Sequence, residues 1–351
     1  MPETMLDQLR RELVDINHAI LHLLNKRGKT VLEVQQIKER EGLPLFMPDR
    51  ELAMLQQILT NNPGPFSDKT IEHLFKEIFR AGVALMENQK EKGLVVSRAH
   101  RKEDLIIQVG GRTLGKEPVI IAGPCSVESE AQMEMVASEL ARLGIGFLRG
   151  GTFKPRSSPY AFQGMGEAGL KILQDAARRH HLVSVTEVMD TRTVELVARY
   201  VDVLQIGARN MHNYELLREV GRCSKPIVLK RGLAATIDEF LWAAEYIASE
   251  GNDQVILCER GIRTFETQTR NTLDISAIAL LRQKSYLPII ADVSHAAGRK
   301  DILVPLARAS LAAGAQGVMV EVHPFPAVAR SDSAQQLDLE EFCAFLEAVG
   351  L

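Results

Sequence analysis

The sequence predicts an α/β protein, a (β/α)8 TIM barrel preceded by a small N-terminal all-α domain of three helices. Three observations lead there. From Pro118 onward eight apolar runs alternate with amphipathic helical stretches, the first 40 residues carry an apolar seam of helical period, and a polar, basic stretch separates the two patterns. A chain of 351 residues exceeds one average domain, yet suits one large barrel with a small companion. The boundaries read from these shifts are 1–90 for the helices, 91–117 for a linker with a short hairpin, and 118–351 for the barrel.

Composition narrows the classes of function. Hydrophobic residues at 46% and charged residues at 25% are ordinary for a globular protein, and a net charge of -3 gives no global pull toward nucleic acid or an anionic membrane. Any basic site must therefore be local. Nowhere do about 18 apolar residues run together, and the N-terminus MPETMLDQLRREL has acids among its apolar residues, so a cytoplasmic protein is expected. The four cysteines, Cys125, Cys223, Cys258 and Cys343, lack CxxC spacing, which argues against a disulfide framework and leaves each as core filler or ligand.

In the helical part, Leu6, Leu9, Leu13, Ile16, Ile20, Leu23, Val31, Val34 and Ile37 recur at spacings of three and four, predicting one long helix from about 4 to 40. Arg27 falls on that seam. Helices from Pro48 to Leu59 and from Ser67 to about Gln89 follow, separated by the breaker Asn61-Asn62-Pro63-Gly64-Pro65. A first helix too long for the other two to cover predicts an intertwined homodimer, with a tetramer through barrel contacts as the larger assembly. Arg27 and Lys38 lie eleven residues apart, within about 20° of one face, and can point at one ligand. Arg10, seventeen residues before Arg27 and about 100° away, would more naturally reach the ligand of a partner chain. Arg50 and Glu51 open the second helix. A dicarboxylate would explain cations on an apolar helical interior; the alternative is a set of snorkelling surface cations.

This pattern resembles the all-helical chorismate mutases, whose Arg, Arg, Lys, Arg-Glu spacing is matched by Arg10, Arg27, Lys38, Arg50 and Glu51. Two polar positions of that pocket align here with Met47 and Met86. The second is a Gln that donates to the ether oxygen whose charge grows as the bond breaks, which a thioether cannot do; losing one such donor costs about 100-fold in rate. The resemblance implies a domain that binds chorismate or prephenate, as an allosteric sensor of downstream product or as a working mutase.

The eight runs of the barrel are Val119 to Ala122, Ile145 to Leu148, Leu182 to Val185, Val201 to Ile206, Pro226 to Leu229, Gln254 to Cys258, Leu287 to Ala291 and Gln316 to Val322. A Thr-x-x-Glu capping box at Thr236 and Glu239 opens one of the helices between them. No GxGxxG follows the first run, which argues against a dinucleotide-binding sheet. Polar residues cluster just after the runs, at the end where such barrels carry chemistry. The densest cluster is Arg149 to Gly164, RGGTFKPRSSPYAFQG. Alone it reads equally well as a solvated basic turn, but Arg209, Lys230 and Arg260 follow later runs and converge with Arg149 and Lys154 on a strongly anionic substrate. Cys125, His295, Glu321 and Asp332 fall on the same rim, a mixed donor set suited to a divalent ion such as Mn, Fe, Co or Zn.

The motifs GPCSVE, RGGTFKPRSSPYAFQG, QIGARNM, LKRGLAAT, CERGIRTFE, SHAAGR, EVHP and SDSAQQL resemble 3-deoxy-D-arabino-heptulosonate 7-phosphate (DAHP) synthase of the class with a fused chorismate mutase domain. The resemblance implies a transferase of aromatic amino acid biosynthesis. It places phosphoenolpyruvate on Arg149, Lys154, Arg209, Lys230 and Arg260, erythrose 4-phosphate on Pro155, Arg156 and Ser157, and the metal on Cys125, His295, Glu321 and Asp332. The implied reaction is an aldol-like condensation in which the metal polarises the aldehyde, C3 of phosphoenolpyruvate attacks it, water adds at C2 and phosphate leaves, with Lys154 moving a proton. A related synthase uses arabinose 5-phosphate, but its loop resembles KANRSS, whereas here Lys154-Pro155-Arg156-Ser157-Ser158 stands.

Overall fold

The computed structural model describes residues 4–41, 43, 47–154 and 160–351, without the side chains of residues 39, 48 and 87–92. The chain divides into two compact units, Met1–Gly93 and Leu94–Leu351.

In the first unit, α1 (Met5–Arg40), α2 (Pro48–Thr60) and α3 (Asp68–Lys92) fall where the periodicity predicts them. Proline can open α2 because the first turn of a helix needs no N–H from it. Both α1 and α2 pack against α3. Along α1 the seam residues Leu9, Leu13, Ile16 and Ile20 stay exposed on the single chain. Such a stripe costs free energy in water and calls for a cover.

The second unit begins earlier than the expected barrel start. Leu94, Val96 and Leu105 are buried in the barrel core. The N–H groups of Val95 and Val96 donate to the two carboxylate oxygens of Glu245 at 3.0 and 3.1 Å. Residues 94–117, read from sequence as linker, thus belong by packing to the barrel. They include the expected hairpin, β1 (Ile107–Val109) antiparallel to β2 (Arg112–Leu114), whose paired Ile107 and Leu114 are buried.

Eight parallel strands then close the barrel in sequence order: β3 (Val119–Gly123), β4 (Phe147–Arg149), β5 (Val183–Glu187), β6 (Val203–Ile206), β7 (Ile227–Lys230), β8 (Val255–Glu259), β9 (Ile289–Asp292) and β10 (Gly317–Glu321), the last pairing with the first. Their residues are buried almost throughout rather than alternately, because helices cover one face and the barrel interior fills the other. Outside lie α4 (Glu130–Arg142), α5 (Gly166–Arg179), α6 (Val194–Tyr200), α7 (Tyr214–Gly221), α8 (Ile237–Ala248), α9 (Ile275–Lys284), α11 (Leu303–Ala312) and α12 (Leu339–Val349), whereas the short α10 (Val293–Ala297) follows β9 directly and carries His295. The Thr236–Glu239 capping box starts α8, and a second, Asp338–Glu341, starts α12. Among the described residues no helix is long and apolar enough to cross a membrane.

One glycine sets the approach to the site. A Cβ on Gly123, at φ 143, would sit 2.1 Å from the carbonyl oxygen of Arg149, so only glycine lets the end of β3 lie this close to β4. The pairing continues past both strand ends, with Gly151 N–H donating to Cys125 O and Val127 N–H to Gly151 O. Cys125 therefore sits on a braced turn.

Candidate active site at the barrel mouth

Arg149, Glu187, Lys230, Glu259, Asp292 and Glu321 are the last residues of β4, β5, β7, β8, β9 and β10. Because all eight barrel strands are parallel, these charges share one rim.

Glu321 lies at the centre, fully buried. Its Oε1 accepts from Arg149 Nη1 at 2.6 Å and lies 3.4 Å from His295 Nε2, while its Oε2 accepts from Gln335 Nε2 at 2.5 Å. Burial pushes this carboxyl up, but His295, Arg149 and Lys154 prevail and hold it down at about 2. Burial, the largest single influence, pushes Arg149 down, but the charges of Glu321, Cys125 and Asp292 and the Glu321 hydrogen bond together outweigh it and raise it, so the guanidinium stays charged.

Cys125 completes the group. Its sulfur lies 3.0 Å from Lys154 Nζ, 3.0 Å from Ser331 Oγ and 3.5 Å from Asp332 Oδ2. Burial first, then the charge of Glu321, push its thiol up to about 12, against the pull of Lys154 and Arg149. Asp332 stands in the left-handed region at φ 48, a conformation a non-glycine residue holds only where its surroundings impose it. Arg270 supplies part of that, donating to Asp332 Oδ2 at 3.2 Å and to Gln335 Oε1 at 2.9 Å. Burial pushes His295 down, against the pull of Asp292 and Glu321. One donor atom each from Cys125, His295, Glu321 and Asp332 lies within 4.8 Å of all the others. A thiol, an imidazole and two carboxylates at that spacing suit a divalent transition metal.

Above this group opens a cavity of about 290 Å³ lined by Lys154, Arg209, Lys230, Arg260, Arg263 and Arg270, with His295 and Asp332 at its floor. Arg149 sits beneath, turned toward Glu321. Lys230 Nζ donates to Asp292 Oδ2. Arg260 is 6% exposed, its Nη2 donates to His295 O at 3.3 Å, and its Nη1 is buried without a hydrogen-bond partner among the described residues. A buried guanidinium nitrogen without an acceptor, on a residue that lines a cationic cavity, leaves a donor that an anion could satisfy. Pro155, Arg156 and Ser157 lie outside the described residues.

Sequence reasoning missed Arg263 and Arg270, which belong to the long connection from β8 to α9 rather than to a strand end. It also passed over the Gln335-Gln336 pair, whose buried amides serve Glu321 and the Cys125 N–H. Two adjacent glutamines within the SDSAQQL motif were the available signal.

The helical unit has its own cavity, about 240 Å³, lined by Arg27, Lys38, Arg50 and Glu51 and by Met47 and Met86. Arg27 Nη1 donates to Ile78 O at 3.4 Å, and its guanidinium lies 5.2 Å from the Phe79 ring centre. Burial pushes Arg27 down, against the pull of Glu51. Lys38 lines the same cavity as Arg27, eleven residues before it on α1. Arg10 points elsewhere, exposed and 3.6 Å from Asp7. Buried Gln35 also lines this cavity and was not expected.

The model of the DAHP synthetase I family matches residues 102–350, more than half of the chain. The chain belongs to that family. The chorismate mutase type II model matches residues 9–87, so both are enzyme domains on one polypeptide, and the barrel is a DAHP synthase-type transferase. The phospho-2-dehydro-3-deoxyheptonate aldolase of Thermotoga maritima is 52% identical over 249 residues, 71% of this chain and 74% of that protein. The 2-dehydro-3-deoxyphosphooctonate aldolase of Syntrophotalea carbinolica is 32% identical, over 65% of this chain and 88% of that one. Among solved structures, the crystal structure of the Thermotoga maritima DAHP synthase superposes with TM-score 0.71 at 50% identity, over 73% of this chain and 75% of the other. A truncated form of DAHP synthase from the same organism gives 0.69 at 47% identity, over 73% and 94%.

Proposed function

We propose that the barrel joins phosphoenolpyruvate to erythrose 4-phosphate, with water consumed and phosphate released, in the first step of the shikimate pathway. The observation that carries this reading is the six-cation cavity with the unpartnered, buried Arg260 Nη1, set directly over a four-donor group. Two phosphorylated substrates, one also a carboxylate, match that charge. The donor set of Cys125, His295, Glu321 and Asp332 fits a divalent ion of the Mn, Fe, Co or Zn class, which would act as a Lewis acid on the aldehyde.

The remaining work falls to the chain's own side chains. Arg209, Lys230 and Arg260 hold phosphate and carboxylate of phosphoenolpyruvate, with Arg149 fixed behind them by Glu321. They also stabilise the phosphate as it leaves. Lys154 Nζ, 2.9 Å from Cys125 O and 3.0 Å from its sulfur, is placed between the cavity and the donor group, where it moves a proton. Pro155, Arg156 and Ser157 meet erythrose 4-phosphate in this reading, which rests for those three on sequence alone.

The helical unit is proposed to bind chorismate or prephenate on Arg27, Lys38, Arg50 and Glu51, with Arg10 contributed to a second copy's pocket in a homodimer or homotetramer. Met47 and Met86 in the cavity wall favour a feedback sensor over a fast mutase. Full-length protein given phosphoenolpyruvate with erythrose 4-phosphate, and separately with arabinose 5-phosphate, tests the barrel by phosphate release. Faster release with the five-carbon sugar would overturn the reading. Synthase kinetics unchanged by saturating prephenate would remove the sensor.

A further inference from the structure

Among the described residues, Asp292 is the one buried carboxylate at this mouth that touches both halves of the site while lying outside the four-donor group. It ends β9 and is fully buried. Its Oδ1 accepts from the backbone N–H of His295 at 3.0 Å. Its Oδ2 faces His295 Nδ1 at 2.8 Å and also accepts from Lys230 Nζ. Nδ1 facing a carboxylate carries the ring proton, so the lone pair of Nε2 is aimed at the side where Glu321 lies 3.4 Å and Asp332 3.8 Å away. One oxygen is thus shared between an imidazole of the metal group and an ammonium of the anion cavity. Deep burial excludes water as a substitute acceptor, so the two donors compete for it.

We propose that Asp292 is a positioning residue that couples the two subsites, so that phosphoenolpyruvate and the metal each tighten the other's binding through this shared oxygen. The inference rests on the functional reading above and names the device joining its two halves. An anion in the cavity draws the ammonium of Lys230 toward itself and takes part of its charge. Asp292 Oδ2 then gives more of its charge to the Nδ1–H of His295. A stronger acceptor there makes Nε2 a better ligand, and linkage requires the reverse effect to be equal. The other contacts of mouth cations with donor side chains, Arg149 with Glu321, Lys154 with Cys125 and Arg270 with Asp332, engage the donor groups themselves, and those of Arg260 with His295 O and Lys154 with Cys125 O reach only backbone. Asp292 alone among them can weaken one partner and strengthen the other without occupying a ligand oxygen.

The test is a Co2+ titration of metal-stripped full-length protein, followed by the visible absorption of cobalt and by its thiolate charge-transfer band, with and without saturating phosphoenolpyruvate. Wild type is expected to bind Co2+ about tenfold more tightly when phosphoenolpyruvate is present, a coupling of ordinary size. In Asp292→Asn the factor falls to about one, while the thiolate band still forms. Lys230→Gln, which leaves the His295 side of the link intact, loses the coupling as well, and the double variant loses nothing further. Should the Asn variant fail to fold by circular dichroism, Lys230→Gln decides: a wild-type coupling factor there overturns the proposal. So does wild type that binds both ligands with a factor of one. Wild type that binds Co2+ but not phosphoenolpyruvate would overturn the functional reading, and this inference with it.

Discussion

The barrel mouth and the helical cavity both gather cations, yet they hold them by different means. At the mouth, Arg149, Lys230 and their carboxylate partners are each 5% exposed or less at the side chain, and every one ends a strand. Closure of the barrel fixes those ends, so the charges are preorganised before any ligand arrives. In the helical unit, Arg27 and Lys38 project from one long helix whose apolar stripe is exposed on the single chain, and thioethers from Met47, Met54 and Met86 fill out the wall. Thioether walls adapt their shape, which suits recognition better than transition-state stabilisation. Under the proposed function the first site is built for chemistry and the second for binding.

Disabling the mouth should therefore have the largest effect. Removing metal with a chelator is expected to abolish phosphate release from phosphoenolpyruvate and erythrose 4-phosphate, with recovery on adding back Mn2+, Co2+ or Zn2+. Activity persisting after verified metal removal would break the comparison. Lys154→Met should lower turnover by about 100-fold or more, the usual scale for a lost proton-transfer group, with the fold intact by circular dichroism. Near-normal turnover would leave Lys154 a mere binding cation.

Next comes the helical cavity. Met86→Gln restores a side-chain amide donor to the wall and is expected to raise chorismate-to-prephenate turnover about 100-fold, read by loss of chorismate absorbance. Robust turnover in the unmodified chain would show that the binding-only reading gave too much weight to one thioether. Arg27→Ala should remove inhibition of the synthase by prephenate while leaving its uninhibited rate unchanged.

How legible this contrast was in the sequence follows from what sets each feature. All eight barrel strands and the three N-terminal helices could be read because apolar periodicity is local, and Arg149, Lys230, Asp292 and Glu321 because they follow such runs directly. Arg270 was invisible for the opposite reason, since its partner Asp332 lies 62 residues away and the loop between gives no period. Asp292 directly follows an apolar run, where polar rim residues fall, but its sharing between Lys230 and His295 depends on register across neighbouring strands, which no spacing rule encodes. Residues 94–106 read as linker because a polar, basic run interrupts them; yet Leu94, Val96 and Leu105 turn out to be buried, and Arg98 and Asp104 are paired.

That last region yields the smallest effect and tests where the rigid scaffold begins. Arg98 donates to Asp104 and, through Nε, to Arg282 O at 2.8 Å; Arg282 on α9 donates to the same Asp104 at 2.7 Å. Burial pushes the Asp104 carboxyl up, but Arg282 and Arg98 outweigh it and hold it below the usual carboxylate range. A depressed folded-state value means the ionised form favours the folded state. The contribution is thus fully present above the unfolded value of about 4 and fades as pH falls through the depressed folded one. With a side chain 32% exposed, solvent screening limits it to about 1 kcal/mol. Asp104→Asn should accordingly lower the stability of the barrel in urea unfolding by about that amount at pH 7, with the difference shrinking toward pH 3. A loss that is the same at both pH values would mean that Asp104 acts by packing alone. No loss at pH 7 would mean that residues 94–106 behave as the linker their composition suggests, and that the preorganised part of the molecule starts only at β3.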